Sequence, residues 1–301
     1  MLLPIPAEDD MTETVNHFRR FVFEEFPARG GIIRLESSWQ AMLALHDYPA
    51  NIRQVLGQIL AMAALLTASI KLDGKLILQI QGGGPLSLLV VECTSRKTFR
   101  AMVKHQEHID SVPVTELLAG SQIVITLENE KSGERYQGIV QAEGSSIAEV
   151  FTNYLLQSDQ LESVIVLTAD DNCAAGMLLQ KMPSGDFDDD DWHRIKLLTA
   201  TLGENELRQL PHETVLRRLF HEDHVRLFEP ELYTFMCSCS YDKVNNMLRI
   251  LGQQEVAEIL REQGSVSVDC EFCGQHYQFD RVDAGQLFAA DSMKQPSRSR
   301  H

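Results

Sequence analysis

Cys237-Ser-Cys239 and, after a gap of 30 residues, Cys270-Glu-Phe-Cys273-Gly-Gln-His-Tyr277 are the segments from which the reading of this chain starts. Four of the six cysteines fall into these two close pairs, while Cys93 and Cys173 stand alone. Four thiolates suit a tetrahedral zinc, with Zn–S near ~2.3 Å. The C-x-x-C spacing followed by Gly274 reads as a metal knuckle, in which two sulfurs converge and the glycine relaxes the turn. In an extended segment, positions i and i+2 point the same way, so Cys237 and Cys239 can reach one metal together. The gap is longer than the ~15–20 residues of ordinary ribbon sites. It reads as a helical hairpin that can bring its ends together: Val244, Met247, Leu248 and Leu251 up to Gly252, then Val256, Ile259 and Leu260 up to Gly264. Ser265–Asp269 and Gly274–Asp280 flank the second pair as a β-hairpin. The expectation is one zinc per chain on Cys237, Cys239, Cys270 and Cys273. Four unrelated core thiols would not cluster as two pairs, and two stable disulfides would need an oxidising compartment. His276 is a conceivable substitute ligand but reads first as an exposed hairpin residue.

Upstream, Pro183 to Met236 carries 12 acidic and 6 basic residues and four of the ten histidines. Asp188 to Asp191 can cap a helix through Trp192, Ile195, Leu198 and Leu202, since acids suit a helix amino end. Pro211 starts another, with Leu216, Leu219 and Phe220 on its apolar side. Helices this short are marginal alone and depend on what they dock against. Residues 183–230 are therefore read as a charged helical linker, 231–290 as the four-cysteine module and 291–301 as a disordered polar tail.

Residues 1–182 mix strands and helices. Asn51 to Ile70 predicts a helix with Ile52, Val55, Leu56, Ile59, Leu60, Ala63 and Leu66 on one stripe. Lys75–Gln81 alternates, Gly82-Gly83-Gly84-Pro85 turns, and Leu86–Glu92 returns. A third strand carries Phe99, Ala101 and Val103. Gln122–Leu127 and Arg135–Ala142 flank the turn Asn129–Gly133, a hairpin signal. Ser146 with Glu149 forms a capping box before Ile147, Val150, Phe151, Tyr154 and Leu155. Leu161–Thr168 and Met177–Met182 read as further strands. Hairpin-joined strands followed by separate helices predict an α+β fold with a largely antiparallel sheet, a helical linker and a small zinc-binding module.

Composition excludes several function classes. The chain has 301 residues, with 43 acidic against 27 basic side chains and a net charge of −16. That balance opposes a nucleic-acid groove, which needs Lys and Arg to neutralise phosphates. Apolar residues at 44% and charged residues at 23% are globular values that exclude wholesale disorder. The amino terminus has no basic start before an apolar core, so no signal peptide is expected. The longest apolar stretch, Val55–Ile70, reads as too short and too amphipathic for a membrane span. The expectation is a cytoplasmic protein with reduced thiols. Other constellations fail as sites. Gly82–Gly84 lacks the Gly-Lys-Ser/Thr of a phosphate loop, and His221-Glu-Asp-His224 spaces its histidines three apart rather than four, reading as a solvated helix face. Cys93 ends a buried strand and Cys173 is a loop thiol. No constellation suggests an enzyme.

A module of some 60 residues has only ~3–6 kcal/mol of stability at ~0.05–0.1 kcal/mol per residue, whereas structural zinc carries an apparent ~10–16 kcal/mol. Losing the metal should unfold the module and deprive the adjoining linker of its docking surface. Zinc-bound thiolates remain oxidisable, and each pair holds its own resolving partner. A redox switch is thus allowed, though not required.

The cysteine pairs with Cys270-Glu-Phe-Cys-Gly-Gln-His-Tyr277 resemble heat shock protein 33, a family of bacterial redox-regulated holdase chaperones. Gln79–Pro85, Gly133-Glu-Arg-Tyr-Gln-Gly138, Ser158–Leu161, Ala174–Gln180 and Leu219–Val225 resemble family segments in family order, from about Ile32 to Phe279. The resemblance implies a reduced, zinc-loaded, inactive form. Oxidants release the zinc, Cys237 pairs with Cys239, and Cys270 pairs with Cys273. Module and linker unfold, apolar surface opens and the active form dimerises. It holds unfolding client proteins without ATP and passes them to the 70-kDa heat-shock chaperone system. Two departures stand out: a glycine missing around Ala175-Gly176-Met177, which suggests a loop shorter by one residue, and an absent cysteine after C-x-C. Two other classes compete. A zinc-ribbon nucleic-acid-binding regulator is opposed by the charge; a thiol oxidoreductase would want C-x-x-C at a helix amino end. Client contact would use the linker's apolar residues Trp192, Ile195, Leu216, Leu219 and Phe220, or the sheet face they cover.

Overall fold

The computed structural model describes residues 16–82, 84–107, 109, 112–142, 144–158, 160–183 and 189–292. The amino-terminal stretch, Gly83, Asp188 and the polar tail from 293 lie outside the described residues. The chain divides into two compact units at Met236/Cys237.

The first unit opens with β1 (Asn16–Phe23), β2 (Ala28–Leu35), α1 (Ser37–Leu43) and α2 (Ala50–Ser69). It continues with β3 (Gly74–Gln81), β4 (Leu86–Thr94), β5 (Thr98–His105), α3 (Val114–Leu117), β6 (Gln122–Asn129), β7 (Arg135–Gln141) and α4 (Ile147–Ser158). Then come β8 (Ser163–Ala169), β9 (Ala174–Lys181), α5 (Asp189–Ala200), α6 (Glu204–Gln209), α7 (His212–Leu219), β10 (Val225–Leu227), β11 (Glu231–Leu232) and β12 (Thr234–Phe235). Two six-stranded sheets result. The first runs β10-β1-β2-β9-β8 with β11 also on β1; the second runs β12-β5-β4-β3-β6-β7. All pairings are antiparallel except β12 with β5. The α+β class with antiparallel pairing is as the sequence predicts, but with two sheets.

The two sheets explain α2. A single apolar stripe predicts burial on one side, yet Ala61, Met62, Ala64, Leu65, Thr67 and Ala68 are buried as well. The helix packs against β2, β8 and β9 of one sheet and β3, β4 and β5 of the other, so every face is covered. Its 20 residues do reach the length and hydropathy of a membrane span, against the sequence expectation, but 78% of the apolar window is buried within the protein. The capping box at α4 also differs. Ser146 Oγ accepts the Glu149 N–H at 3.2 Å, but the Glu149 carboxylate turns back to the N–H and hydroxyl of Ser145. Ala175–Met177 lies inside β9, paired on both sides, so the expected shortened loop is a strand.

The charged helices find their docking surface on the first sheet. Trp192, Ile195, Leu207, Val215, Leu216, Leu219 and Phe220 share one core with Phe21, Phe23, Ile32, Met177 and Leu179. Their segment also supplies β10 to the sheet, pairing Phe21 with Leu227. At the start of α7, His212 is 5% exposed and its Nε2 is buried without a hydrogen-bond partner among the described residues. Burial first, then the charges of Arg34 and Arg19 and the nearby His17, lower its pKa from 6.5 to about 3. An undocked His212 binds a proton that the docked one refuses. Stability is therefore fully present above about pH 6.5 and is lost as pH falls from there toward about 3. Urea unfolding of the first unit at pH 7.5 and 5.5 should show a loss approaching ~1.4 kcal/mol per pH unit at most. His212→Gln should flatten that slope; equal slopes in variant and parent would refute the assignment.

The second unit contains α8 (Tyr241–Leu251), α9 (Gln253–Gln263), β13 (Val266–Asp269), β14 (His276–Phe279) and α10 (Arg281–Ser292). The helical hairpin and the β-hairpin match the sequence expectation. Helix α10 has no counterpart in it: its mixed sequence carries no helical stripe strong enough to read. Val244, Leu248, Val256, Leu260, Val266, Phe279, Ala284 and Leu287 form the core of this unit.

Candidate metal centre

Each cysteine pair is placed by local backbone logic. The second pair sits at the tip of the β13–β14 hairpin. There the Cys273 and Gly274 N–H groups both donate to the Cys270 carbonyl, at 3.2 and 2.7 Å, and the Cys270 N–H donates to Gln275 O. Gly274 has φ 69°, a left-handed conformation that glycine adopts at no steric cost. The first pair lies in extended chain just before α8, whose N-cap Ser240 accepts the Lys243 N–H. Lys243 then folds back, its Nζ donating to the Ser238 carbonyl at 2.5 Å and to its hydroxyl at 3.0 Å. This clamps the residue between the two cysteines.

The four sulfurs converge. Cys237 Sγ lies 3.7 Å from Cys270 Sγ, and Cys239 Sγ lies 3.5 Å from Cys273 Sγ. All four fall within 4.8 Å of one another and are half-buried. A tetrahedron with ~2.3 Å metal–sulfur bonds has edges of ~3.8 Å, so the donor set fits a four-coordinate, thiophilic cation such as zinc. No other group of three or more metal-ligating side chains comes together among the described residues. His276 is not in the group: it is exposed and its Nδ1 faces Asp269 Oδ1 at 2.7 Å.

Without a cation, Cys239, Cys273 and Cys237 are shifted in different directions. At Cys239 burial works upward, but hydrogen bonds from the Tyr277 hydroxyl and the other sulfurs outweigh it and bring the pKa to about 7. Cys273 is pushed up to about 12, by burial and by sharing protons with the other sulfurs against the Gln275 N–H. Burial likewise raises Cys237. A divalent ion held by these sulfurs would favour their thiolate forms, so its binding would release protons. Sequence spacing pointed to the four cysteines but not to Tyr277 or Lys243. Tyr277 was legible only as part of a family segment, and nothing local marks Lys243 as the clamp.

The remaining predicted features are structural. Cys93 is fully buried near the end of β4, and burial raises its thiol pKa. Cys173 precedes β9 in a loop as expected, but is 5% exposed, and burial pushes it up to about 12. Both are protonated, inert thiols at neutral pH. The His221–His224 segment is a turn after α7 rather than a helix face, with His224 paired to Glu25.

The sequence model of a family described as Hsp33 protein matches residues 16–280. The chain belongs to the Hsp33 family. Among Hsp33 relatives, the 33 kDa chaperonin of Chromobacterium violaceum is 44% identical over 292 residues, covering 95% of this chain and 99% of the relative. That of Methylobacillus flagellatus is 44% identical over 289 residues, with the same coverage. A solved Hsp33 homologue, the 33 kDa chaperonin of Thermotoga maritima, superposes with a TM-score of 0.81 at 21% identity. That superposition covers 93% of this chain and all of the homologue, and it establishes the shared Hsp33 fold. These relatives carry the name of a chaperone, not of an enzyme.

Proposed function

We propose that this chain is a redox-regulated, ATP-independent holdase that binds unfolding proteins under oxidative stress. The observation that supports it most is the convergence of four thiol sulfurs within 4.8 Å, in a small unit of an Hsp33-family chain. In the reduced state Cys237, Cys239, Cys270 and Cys273 hold one zinc. Bound zinc supplies the positive charge that keeps all four sulfurs ionised and a template for their tetrahedron. Oxidation by peroxide proceeds at sulfur. A thiolate attacks one peroxide oxygen, the O–O bond breaks and hydroxide leaves, giving a sulfenic acid; the resolving thiolate then displaces a second hydroxide as the S–S bond forms. In the reading the family resemblance implies, the products are Cys237–Cys239 and Cys270–Cys273 disulfides. Two peroxides are consumed and zinc is lost.

The remainder follows from marginal stability. Residues 231–290 lose the metal and unfold, and the linker, residues 183–230, leaves the sheet of the 1–182 domain. Phe21, Phe23, Ile32, Met177 and Leu179 beneath it, with Trp192 and Phe220 of the linker, become the client surface. The active form dimerises and later passes clients to the 70-kDa heat-shock chaperone system. A cytoplasmic setting, where thiols rest reduced, suits such a switch. The charge of −16 opposes the alternative of a nucleic-acid-binding regulator.

Light scattering from a heat-unfolding client tests the reading. The zinc-loaded, reduced protein should leave aggregation unchanged and the peroxide-treated protein should suppress it. Equal suppression by both forms removes the redox control, and protection by neither removes the chaperone assignment.

A further inference from the structure

A cavity of about 550 Å³ opens on the α2 side of the first sheet, beyond the last turn of α2. Its floor is β1, β2 and β9, and its rim is the Phe228–Pro230 strap between β10 and β11 with Glu231 at the start of β11. The walls are apolar, from Phe18, Val22, Leu65, Leu178 and Phe228. Gly31 keeps the floor low, since a Cβ there would lie 2.6 Å from the Phe18 ring. The Ser69 hydroxyl on the wall is already donated to the Leu66 carbonyl.

The polar groups gather on one side. Arg29 donates through Nε and Nη2 to Gln180 Oε1, at 3.2 and 3.0 Å, and Gln180 is 3% exposed. Among the described residues Arg29 has no carboxylate partner. Arg20 pairs across the strands with Gly31, and Val22 with Arg29, so both guanidinium stems rise from the same sheet face as diagonal neighbours. Glu231 is the carboxylate within reach, and it serves both Arg20 at 3.7 Å and Lys97 at 2.7 Å. Glu229 also lines the cavity, as an exposed residue on its rim. Arg20 and Lys97 thus share Glu231, while Arg29, the diagonal neighbour of Arg20, is left without a carboxylate among the described residues.

We propose that this cavity binds a monomeric amphiphile with one carboxylate head and an unbranched apolar tail. The head takes the free donors of Arg29 and Arg20, and the tail lies along Phe18, Leu65 and Leu178. A volume in the ~300–1,000 Å³ range of small-molecule sites accommodates a tail of roughly eight to twelve carbons. A polyanion or nucleotide would need donors along the other walls, which are hydrocarbon. The assignment is independent of the metal centre and of the holdase reading.

Isothermal titration of the reduced full-length chain tests it, with sodium decanoate below its micellar concentration, 1-decanol, and phosphatidylglycerol vesicles. Decanoate should bind saturably at one per chain and more tightly than decanol. Arg29→Gln should weaken decanoate about tenfold or more, because charge-assisted hydrogen bonds are lost, while leaving decanol binding unchanged. Vesicles should give no binding, which separates a free amphiphile from a bilayer surface. A second measurement on the parent chain needs no variant: nuclear Overhauser contacts from the decanoate chain to the Leu65 and Leu178 methyls are expected. Absence of saturable decanoate binding, indifference to Arg29→Gln, binding to vesicles alone, or absence of those methyl contacts would each overturn the proposal.

Discussion

Chelating the metal from the reduced protein is expected to unfold the unit that begins at Cys237 while α2 and strands β1–β9 stay folded. That unit buries eight apolar side chains, two of them from α10. Its helices leave Ile250 at 88% and Val282 at 64% exposure, with Met247 and Leu251 also exposed. A core so small supplies a few kcal/mol at most, against the apparent ~10–16 kcal/mol of a structural zinc. A bound metal would also tie together two chain segments 30 residues apart: Cys237 meets Cys270, and Cys239 meets Cys273. A chromogenic chelator should report one zinc per chain. Amide exchange should rise across α8, α9 and β13–β14 while protection in α2 and β3–β6 is kept. Cys270→Ser should reproduce the loss without chelator. Retained protection from Cys237 onward in metal-free protein would show that the sulfur cluster is incidental to the fold.

Trp192→Ala should undock the charged helices. Trp192 is 2% exposed in the core shared with the first sheet, and its Nε1 donates to Glu162 Oε2 at 2.9 Å. Truncating a buried tryptophan costs about 3–5 kcal/mol, and a helix as short as α5 holds no such reserve by itself. The reduced, zinc-loaded variant should therefore bind a hydrophobic dye, be cut by protease within α5–α7 and suppress client aggregation without oxidant. A variant that is cut and binds dye yet gives no protection would place the client surface elsewhere than this sheet face and its covering helices. Zinc content measured alongside separates undocking of the helices from damage to the metal unit.

Elements whose signal is local were legible. The β3–β4 and β6–β7 hairpins, α2, α4, and the helix pair between the cysteines follow from periodicity and turn residues within a few positions. Strands β1 and β2 were not. Phe18 packs toward α2 while Phe21 and Phe23 pack toward the charged helices, so both faces are apolar and no clean alternation marks them. Partners far along the chain were equally hidden: β1 takes β10 and β11 from about 200 residues away, as in Phe21 with Leu227. The stripe of α2 was read as one-sided because a sequence cannot say that a second sheet covers the other side.

Sequence by itself singled out the four cysteines and the shape of the segment that carries them. Thiol chemistry and spacing of one and two residues are properties of the chain over a single turn. Only the tertiary structure decided that the four sulfurs fall within 4.8 Å, that Tyr277 touches Cys239, and that the charged helices lie on the first sheet. It also decided that His212 is buried among arginines. Those facts depend on which distant surfaces meet, and burial and electrostatics are set by neighbours in space, whose identity no local periodicity encodes.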